Sequence, residues 1–304
     1  MKSADSADLL RPALIPVWLG VGLLWLMHWL PLPLLAGIGN LVGSLAAGLP
    51  GKRRRVAETN LRLCFPEQSA AVRARWMRAN FRASARAALE HSILWWGTAA
   101  RVRRLVRLEH PERMLGDGRR PVIWLAPHFV GLDMGGIRLS MQKTGVSMYV
   151  RALNPVMDRL MLHSRTRFTE SILVPRHAGI KPVIRALKSG HPFYYLPDQD
   201  QGRNEAVFVP FFGIATATVS ALPRLAKVAN AQIVPVTTRQ LPGGGGYVVT
   251  CHPAWENYPT DDLEADVARM NRWIEDRVRE MPEQYLWLHR RFKTRPPGEA
   301  SPYA

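Results

Sequence analysis

Residues 121–135 read PVIWLAPHFVGLDMG, and this apolar segment predicts a buried strand that turns into a helix starting near Met134. His128 comes directly after the strand, and Asp133 comes five residues after His128. In open α/β sheets, ligand sites form beyond the carboxyl ends of strands, which is where this turn lies. We therefore predict that His128 is a general base and that Asp133 orients it. The turn contains no serine or cysteine that would act as a nucleophile.

The region from residue 120 onward alternates short apolar segments with helical ones, which predicts an α/β fold. We expect a single layered domain at 51–295, with a mixed central sheet flanked by helices, and a disordered tail at 296–304. Strands are predicted at 121–126, 146–151, 193–196, 232–238 and 247–251, with an aromatic strand at 285–288. Helices are predicted at 69–97, 134–143, 155–167, 180–189, 217–229 and 261–281.

The first 50 residues contain a long apolar segment, residues 12–49. About 20 apolar residues at 1.5 Å each span a hydrocarbon core of roughly 30 Å, so we predict an N-terminal membrane-anchoring helix in domain 1–50. Crossing the membrane and re-entering at Pro31 both fit the sequence, and a buried hairpin of two soluble helices is the alternative. Four cations follow the segment and place the rest of the chain on the cytoplasmic side, against anionic lipids: Lys52, Arg53, Arg54 and Arg55.

The charge balance is strongly basic, with 41 Lys and Arg against 24 Asp and Glu, a formal net charge of +17. Such a balance suggests a polyanionic partner, which is a nucleic acid, an anionic membrane or an acidic protein. No nucleic-acid-binding module is recognisable, so we expect no nucleic acid. Cys64 and Cys251 lie far apart in the sequence and have no metal-ligand spacing, which indicates two reduced thiols and no metal site.

Three further motifs carry chemistry or lipid contacts. The loop Tyr195–Gly202 contains two carboxylates, Asp198 and Asp200, that orient cations, bind a metal or form a turn. The apolar segment Val207–Gly213 is either core or the wall of a lipid channel. Residues 285–295 join aromatic side chains to a run of cations.

Taken together, the ordered motifs resemble the lipid A biosynthesis late acyltransferases, the lauroyl and myristoyl transferases of the glycerolipid acyltransferase-like superfamily. The resemblance rests on the His-x-x-x-x-Asp turn, Asn154-Pro155, the Pro-Asp-Gln-Asp loop, VFVPFFG and YLWLHRRFKTRP. It implies transfer of a fatty acyl chain from acyl carrier protein to a hydroxyl of a lipid A precursor, without a cofactor or a covalent acyl-enzyme. It also implies a place at the bacterial inner membrane, with the catalytic domain on the cytoplasmic side.

The resemblance assigns roles to individual residues. His128 matches the general base, Asp133 its acidic partner, and Arg165 a functional arginine that stabilises the oxyanion. Arg167 is close enough to be the alternative for Arg165. Substrate-binding residues expected from the same motifs are Asp198, Asp200, Phe211, Gly213, Thr218, Arg290 and Arg291.

The acceptor lipid stays open, because many lipid A enzymes carry glutamate where this chain has Asp133. The same mechanism serves another glycolipid, an ornithine lipid or a lysophospholipid. The alternative outside enzymes is a basic protein that binds a membrane surface or nucleic acid. This hypothesis leaves the His128–Asp133 pair unexplained.

Overall fold

The structure is a computed structural model that describes Leu9 and residues 11–303. Its helices are α1 (Ile15–Met27), α2 (Leu32–Gly48), α3 (Lys52–Cys64), α4 (Ala70–Trp96), α5 (Ala99–Leu105), α6 (Leu132–Ser140), α7 (Pro155–Thr166), α8 (Lys181–Lys188), α9 (Ala221–Ala229) and α10 (Leu263–Glu280). Its strands are β1 (Val106–Glu109), β2 (Val122–Leu125), β3 (Val146–Tyr149), β4 (Ile172–Pro175), β5 (Phe193–Tyr195), β6 (Ala206–Phe211), β7 (Ile214–Val219), β8 (Gln232–Gln240) and β9 (Tyr247–Cys251).

Seven strands form one sheet in the order β1-β9-β8-β2-β5-β3-β4. All neighbours pair in parallel except β8 and β9, which are antiparallel, so the prediction of an α/β fold with a mixed sheet is confirmed. Strand β2 is central and all four of its residues are buried. A strand that is covered on both faces reads as a continuous apolar run, which explains the sequence of residues 122–125.

The two faces of the sheet belong to two separate parts of the core. Ile123 and Leu125 pack into a cluster with helices α8, α9 and α10. Val122 and Trp124 point to the other face and pack with α4 and α6. The loop after β2 therefore emerges between two helical layers, and His128 lies in that loop.

Residues 206–219 form an antiparallel hairpin, β6–β7, so the prediction of a helix from residue 217 is wrong at its start. The two-residue loop Phe212-Gly213 has positive φ at both positions, 52° and 73°, as tight hairpin turns require. Thr216 and Thr218 then alternate along β7, where β-branched side chains are favoured. Helix α9 begins only at Ala221.

Residues 285–288, predicted as a strand, have no regular strand structure apart from a single bridge between Tyr285 and Phe129. Side chains of the helices take the place of a neighbouring strand. Asn80 Nδ2 donates to the carbonyls of Glu283 and Tyr285 at 2.9 and 2.7 Å. Asn60 Nδ2 donates in the same way to the carbonyls of residues 287 and 289 at 2.7 and 2.8 Å.

Near the end of the chain, where a disordered tail is predicted from residue 296, Tyr303 makes two hydrogen bonds. Its hydroxyl accepts from the Phe292 amide at 3.1 Å and donates to the side chain of Asn60. The tail therefore packs beside α3 through one aromatic anchor.

The predicted anchor segment forms two helices, α1 and α2, separated at residues 28–31. By length and apolar character, no single described helix suffices to cross a membrane, whereas α2 and α3 together do, with a bend of 86° between them. Many large apolar side chains of α1 and α2 are exposed, Leu19 at 70% and Leu45 at 64% among them. The anchor remains a prediction.

Helix α2 packs closely on α4 through small residues. A Cβ atom on Gly43 would lie 2.5 Å from Arg82 Cα, and one on Gly39 would lie 2.7 Å from Arg86 Cα. Arg86 itself is buried, donating to Glu90 at 3.1 Å and to the Leu241 carbonyl at 3.1 Å. The apolar segment is thus fastened to the rest of the molecule along one face.

Candidate active site

His128 and Asp198 meet because their strands are neighbours. His128 follows β2 and Asp198 follows β5, and these strands pair in parallel, so both loops leave the same edge of the sheet. Asp198 Oδ1 lies 2.6 Å from His128 Nδ1, and Asp198 Oδ2 accepts from the backbone amide of His128 at 2.9 Å. The Asp198 side chain is 1% exposed and the His128 side chain 12%.

The charge on Asp198 sets the tautomer of His128. Burial raises the pKa of the Asp198 carboxyl, but the contacts with His128 outweigh it, so the pKa lies below its usual value. An ionised carboxylate only accepts hydrogen bonds, so Nδ1 carries a proton, and in the neutral form of the ring the lone pair is on Nε2. The Tyr285 hydroxyl also hydrogen-bonds this carboxylate. Burial, and after it the charge of Asp198, raise the pKa of that hydroxyl, so Tyr285 remains a hydrogen-bond donor.

The carboxylate that hydrogen-bonds the His128 imidazole in this structure is Asp198, whereas Asp133, predicted to orient His128, bonds Arg165. Asp133 lies in the first turn of α6, where its Oδ1 accepts from Arg165 Nη2 at 3.1 Å. Its Oδ2 lies 3.9 Å from His91 Nδ1. The reason is the geometry of the elements: Asp133 faces α4 and α7, whereas the buried loop after β5 reaches His128 directly.

Charges around Asp133 keep it ionised. Burial raises the pKa of this carboxyl, but the Arg165 guanidinium beside it brings it below its usual value. Asp133 is hydrogen-bonded to Arg165, and no hydrogen bond joins it to His128 among the described residues.

Arg165, and not Arg167, is the arginine at Asp133. It lies in the last turn of α7, a helix whose start is capped by Asn154, which accepts from the amides of residues 156 and 157 at 3.0 and 3.1 Å. Arg167 instead donates to the Leu94 carbonyl at 3.2 Å and stacks 4.6 Å from the Phe168 ring. The two arginines differ in direction because they lie on opposite sides of the helix end.

His91 is a site residue that the sequence analysis missed. Its side chain is 10% exposed, and its Nε2 has no hydrogen-bond partner among the described residues. Burial, which outweighs the nearby Asp133 carboxylate, lowers the pKa of His91, so the ring is neutral. It lines a cavity of about 190 Å³ together with Asp133, Val130 and Met134. No local signal marks it, because only the packing of α4 against α6 brings it to the site.

A small cavity of about 50 Å³ lies beside Asp133 and Arg165, between α6 and strands β3, β4 and β5. Its other lining residues are mostly apolar, with three serines among them: Leu132, Gly136, Ile137, Ser140, Gly145, Val146, Ser147, Met148, Ser171, Leu173, Tyr194 and Leu196.

Other residues predicted to bind substrate hold the loops in place. The Asp200 carboxylate accepts from the Thr294 amide and hydroxyl, both at 2.8 Å, and its own amide donates to His289 Nε2 at 3.0 Å. Burial and the nearby Arg291 lower the pKa of His289 to about 4, which suits that acceptor role. Asp200 is therefore a support for the Asp198 loop.

The hairpin β6–β7 is tied to the same region by Arg291. This buried arginine donates to the Ala217 carbonyl at 2.8 Å and to Thr218 Oγ1 at 3.0 Å, and it lies 5.3 Å from the ring of Phe211. Phe211 and Thr218 are fully buried, so they belong to the core, while Gly213 is exposed in the hairpin turn.

The cations predicted at the membrane surface lie at the start of α3. Arg53 donates to the Leu288 carbonyl at 2.8 Å, and Arg54 pairs with Glu58 at 2.8 Å. Lys52 and Arg55 are exposed. Arg290, the last of the predicted substrate-binding residues, lines a groove beside α3.

The amino-acid sequence was compared with protein families and with curated proteins. Residues 2–294 match the family "Bacterial lipid A biosynthesis acyltransferase". The lipid A biosynthesis lauroyltransferase of Escherichia coli (strain K12) is 35% identical over 302 residues, 98% of each chain. The lipid A biosynthesis myristoyltransferase of the same organism is 35% identical over 280 residues, 89% of this chain and 83% of that one.

Among solved structures, the 1-acyl-sn-glycerophosphate acyltransferase PlsC from Thermotoga maritima aligns with 82% of this chain and 99% of its own. The TM-score is 0.39 and the sequence identity 14%, a likeness too distant to carry weight. The sequence relationships are close and cover nearly the whole length. This chain belongs to the bacterial lipid A biosynthesis acyltransferase family.

Proposed function

We propose that this protein transfers a fatty acyl chain from acyl carrier protein to a hydroxyl group of a lipid A precursor, with His128 as the general base. The observation that carries the proposal is the 2.6 Å contact between Asp198 and His128 Nδ1. It leaves His128 Nε2 as the atom that accepts the proton of an attacking hydroxyl.

The reaction needs no nucleophile from the protein. The acceptor hydroxyl attacks the carbonyl carbon of the thioester while His128 Nε2 takes the hydroxyl proton. The tetrahedral intermediate then collapses, the carbon–sulfur bond breaks, and the imidazolium returns the proton to the leaving thiolate. The negative charge of Asp198 stabilises the imidazolium between these steps. No covalent acyl-enzyme forms, because the hydroxyl belongs to the lipid.

Arg165 supplies the positive charge for the oxyanion in this mechanism. Asp133 and Arg165 hold one another at 3.1 Å, and the guanidinium keeps further N–H donors beyond that bond. A positioned donor of this kind contributes about 3–4 kcal/mol to the stability of the transition state. Asp133 acts as a positioning residue for Arg165 in this mechanism.

The exposed apolar side chains of α1 and α2 support a proposal about where the enzyme lies in the cell. We propose that the exposed apolar side chains of α1 and α2 enter the inner membrane, with the catalytic part on its cytoplasmic side. The lipid acceptor then reaches His128 from the bilayer, and the acidic acyl carrier protein is attracted from solution by the net charge of +17.

The test is acyl transfer by purified enzyme from acyl-acyl carrier protein to a lipid A precursor, followed by mass spectrometry. His128→Ala should lower turnover by roughly 10²-fold or more, because the base is lost. His110→Ala is the matched control, since His110 is an exposed histidine whose loss should leave turnover unchanged. Wild-type turnover in His128→Ala would refute the mechanism.

Another acceptor is the second candidate, and Asp133 is the observation that favours it, since many lipid A enzymes have glutamate at this place. The mechanism is the same with a different glycolipid, an ornithine lipid or a lysophospholipid. Mass spectrometry of lipid A from cells with and without the protein separates the two: a missing secondary acyl chain supports lipid A, and an unchanged profile supports another acceptor.

A further inference from the structure

A basic groove lies between α3, the first half of α4 and the end of the chain, and nothing in the mechanism uses it. Its volume is about 930 Å³. Seven basic side chains line it and only one acidic side chain, Glu58. We refer to it as the α3–α4 groove.

Some of these cations already have partners. Arg54 pairs with Glu58 at 2.8 Å, and Arg73 donates to the Phe65 carbonyl at 3.1 Å at the end of α3. Arg55, Arg62 and Arg78 are exposed and have no acidic partner at ion-pair distance among the residues that the structure describes. Glu58, the single acidic residue of the groove, is therefore paired with Arg54, and no acidic side chain of the groove neutralises the other arginines.

Arg290 completes the groove from the opposite side. Its guanidinium lies 5.8 Å from the ring of Tyr303, and its Nε is buried without a hydrogen-bond partner among residues 11–303. A buried donor without a partner is unfavourable, and like charges around one concavity repel each other. An oxyanion with several acceptor oxygens in the groove reduces this repulsion and accepts hydrogen bonds from the exposed guanidinium groups around it. Phosphate suits the planar donor array of arginine.

The groove borders the apolar surface of the molecule. Arg54 Nη1 donates to the Ala47 carbonyl at 3.2 Å and so joins the wall of the groove to the end of α2. At that end Leu45 is 64% exposed and Leu49 is 66% exposed. An apolar surface that meets a basic concavity matches a molecule with hydrocarbon tails and a phosphate head.

The groove is separate from the reaction centre. Arg78 and His91 both lie on α4, and 91 − 78 = 13 residues correspond to about 20 Å at the helical rise of 1.5 Å per residue. His91 is beside Asp133, so the Arg78 end of the groove lies about that far along α4 from the Asp133–Arg165 pair.

We propose that the α3–α4 groove binds the phosphate head group of an anionic bilayer phospholipid, which fixes how the enzyme sits on the membrane. This rests on the membrane placement proposed above but not on the acyl-transfer chemistry. It assigns the lipid contact to a defined cavity with Arg62, Arg78 and Arg290 at its walls, in addition to the cations at the start of α3.

The test is binding of the full chain to vesicles of phosphatidylcholine with and without phosphatidylglycerol, at low salt. The double variant Arg62→Gln/Arg78→Gln should bind the anionic vesicles roughly tenfold or more weakly, given the usual contribution of each cation near such a surface. Its binding to pure phosphatidylcholine should not change. The control is Arg224→Gln/Arg272→Gln, which removes two exposed cations outside the groove and the same net charge.

The two variants distinguish a specific phosphate site in the groove from attraction by the overall positive charge of the protein. Selective loss in the groove variant, with wild-type binding in the control, supports the proposal. Equal loss in both variants, or no loss in the groove variant, overturns it. Wild-type vesicle binding combined with a raised KM for the lipid acceptor, or with lost binding of acyl carrier protein, assigns the groove to that substrate and also overturns it.

Turnover is also measured on the same preparations with detergent-dispersed substrates. This shows whether a loss of vesicle binding is separate from any loss of acyl transfer. The groove variant should retain the wild-type kcat there, which also shows that it is folded. If the wild type itself transfers no acyl group, the proposed function fails while the vesicle result still decides the groove.

Discussion

Two carboxylates, Asp133 and Asp198, lie near His128, and they have different partners. Asp198 bonds Nδ1 of the imidazole, whereas Asp133 bonds Arg165. The sequence predicts that His128 is a site residue, because a histidine directly after a buried strand lies at the edge of the sheet where ligand sites form. The choice between the carboxylates is not local. It depends on the pairing of β2 with β5, which joins residues 70 positions apart in the chain.

Asp198→Asn should lower kcat by roughly 10³- to 10⁴-fold, as at other His–Asp pairs, because an amide stabilises the wrong tautomer of the imidazole. Steady-state kinetics of acyl transfer measure this. Asp117→Asn is the control, since Asp117 is an exposed carboxylate that bonds only its own loop and Arg120. Near wild-type kcat in Asp198→Asn, with a large loss in Asp133→Asn, would return the orienting role to Asp133.

At the scale of elements, small residues of helix α2 permit its close packing on α4. The apolar character of the segment does not by itself predict this packing. The sequence of residues 12–49 predicts an apolar segment and leaves open whether it enters a membrane or packs on protein. In the structure one face of α2 packs on α4 through Gly39 and Gly43, while the other exposes large apolar side chains. The break at Pro31 is a local feature and was predictable. The docking on α4 was not.

Gly43→Ala should destabilise the protein by about 1–3 kcal/mol, because its Cβ atom meets the backbone of Arg82 at 2.5 Å. Gly37→Ala lies in the same helix with nothing within 4 Å of the added atom, so it should be neutral or stabilise by up to about 1 kcal/mol. Denaturant unfolding in detergent measures both variants. Equal stability of the two would mean that α2 does not pack on α4 as described.

At the scale of the whole molecule, buried histidines from three separate regions make stability depend on pH. Burial is the main cause that lowers the pKa of His91, and it lowers the pKa of His252 and of His289 to about 4. These rings are neutral in the folded protein, whereas in the unfolded chain they bind protons near pH 6.5. The unfolded state therefore gains more protons as the pH falls.

We accordingly expect the free energy of unfolding to fall from about pH 6.5 towards about pH 4. The pKa of Asp133 and that of Asp198 also lie below the ordinary value, so these carboxylates lower stability in the same direction as the pH falls, but only below about pH 4, where the unfolded chain begins to protonate its carboxylates. His252→Gln should reduce the slope, since glutamine does not titrate. Unfolding by denaturant at a series of pH values measures it, and an unchanged slope in this variant would contradict the assignment of His252.

By itself, the sequence determined the class of fold, the family and the histidine of the site. Each of these depends on a local pattern: apolar runs of strand length, helical periodicity, and motifs in a set order. The tertiary structure decided which groups meet. It brought Asp198 to His128, turned Asp133 to Arg165 and His91, and replaced a strand at 285–288 with backbone held by Asn60 and Asn80. The physical reason is that these contacts form between side chains on different elements, whose distances are fixed only when the sheet and its helices pack together.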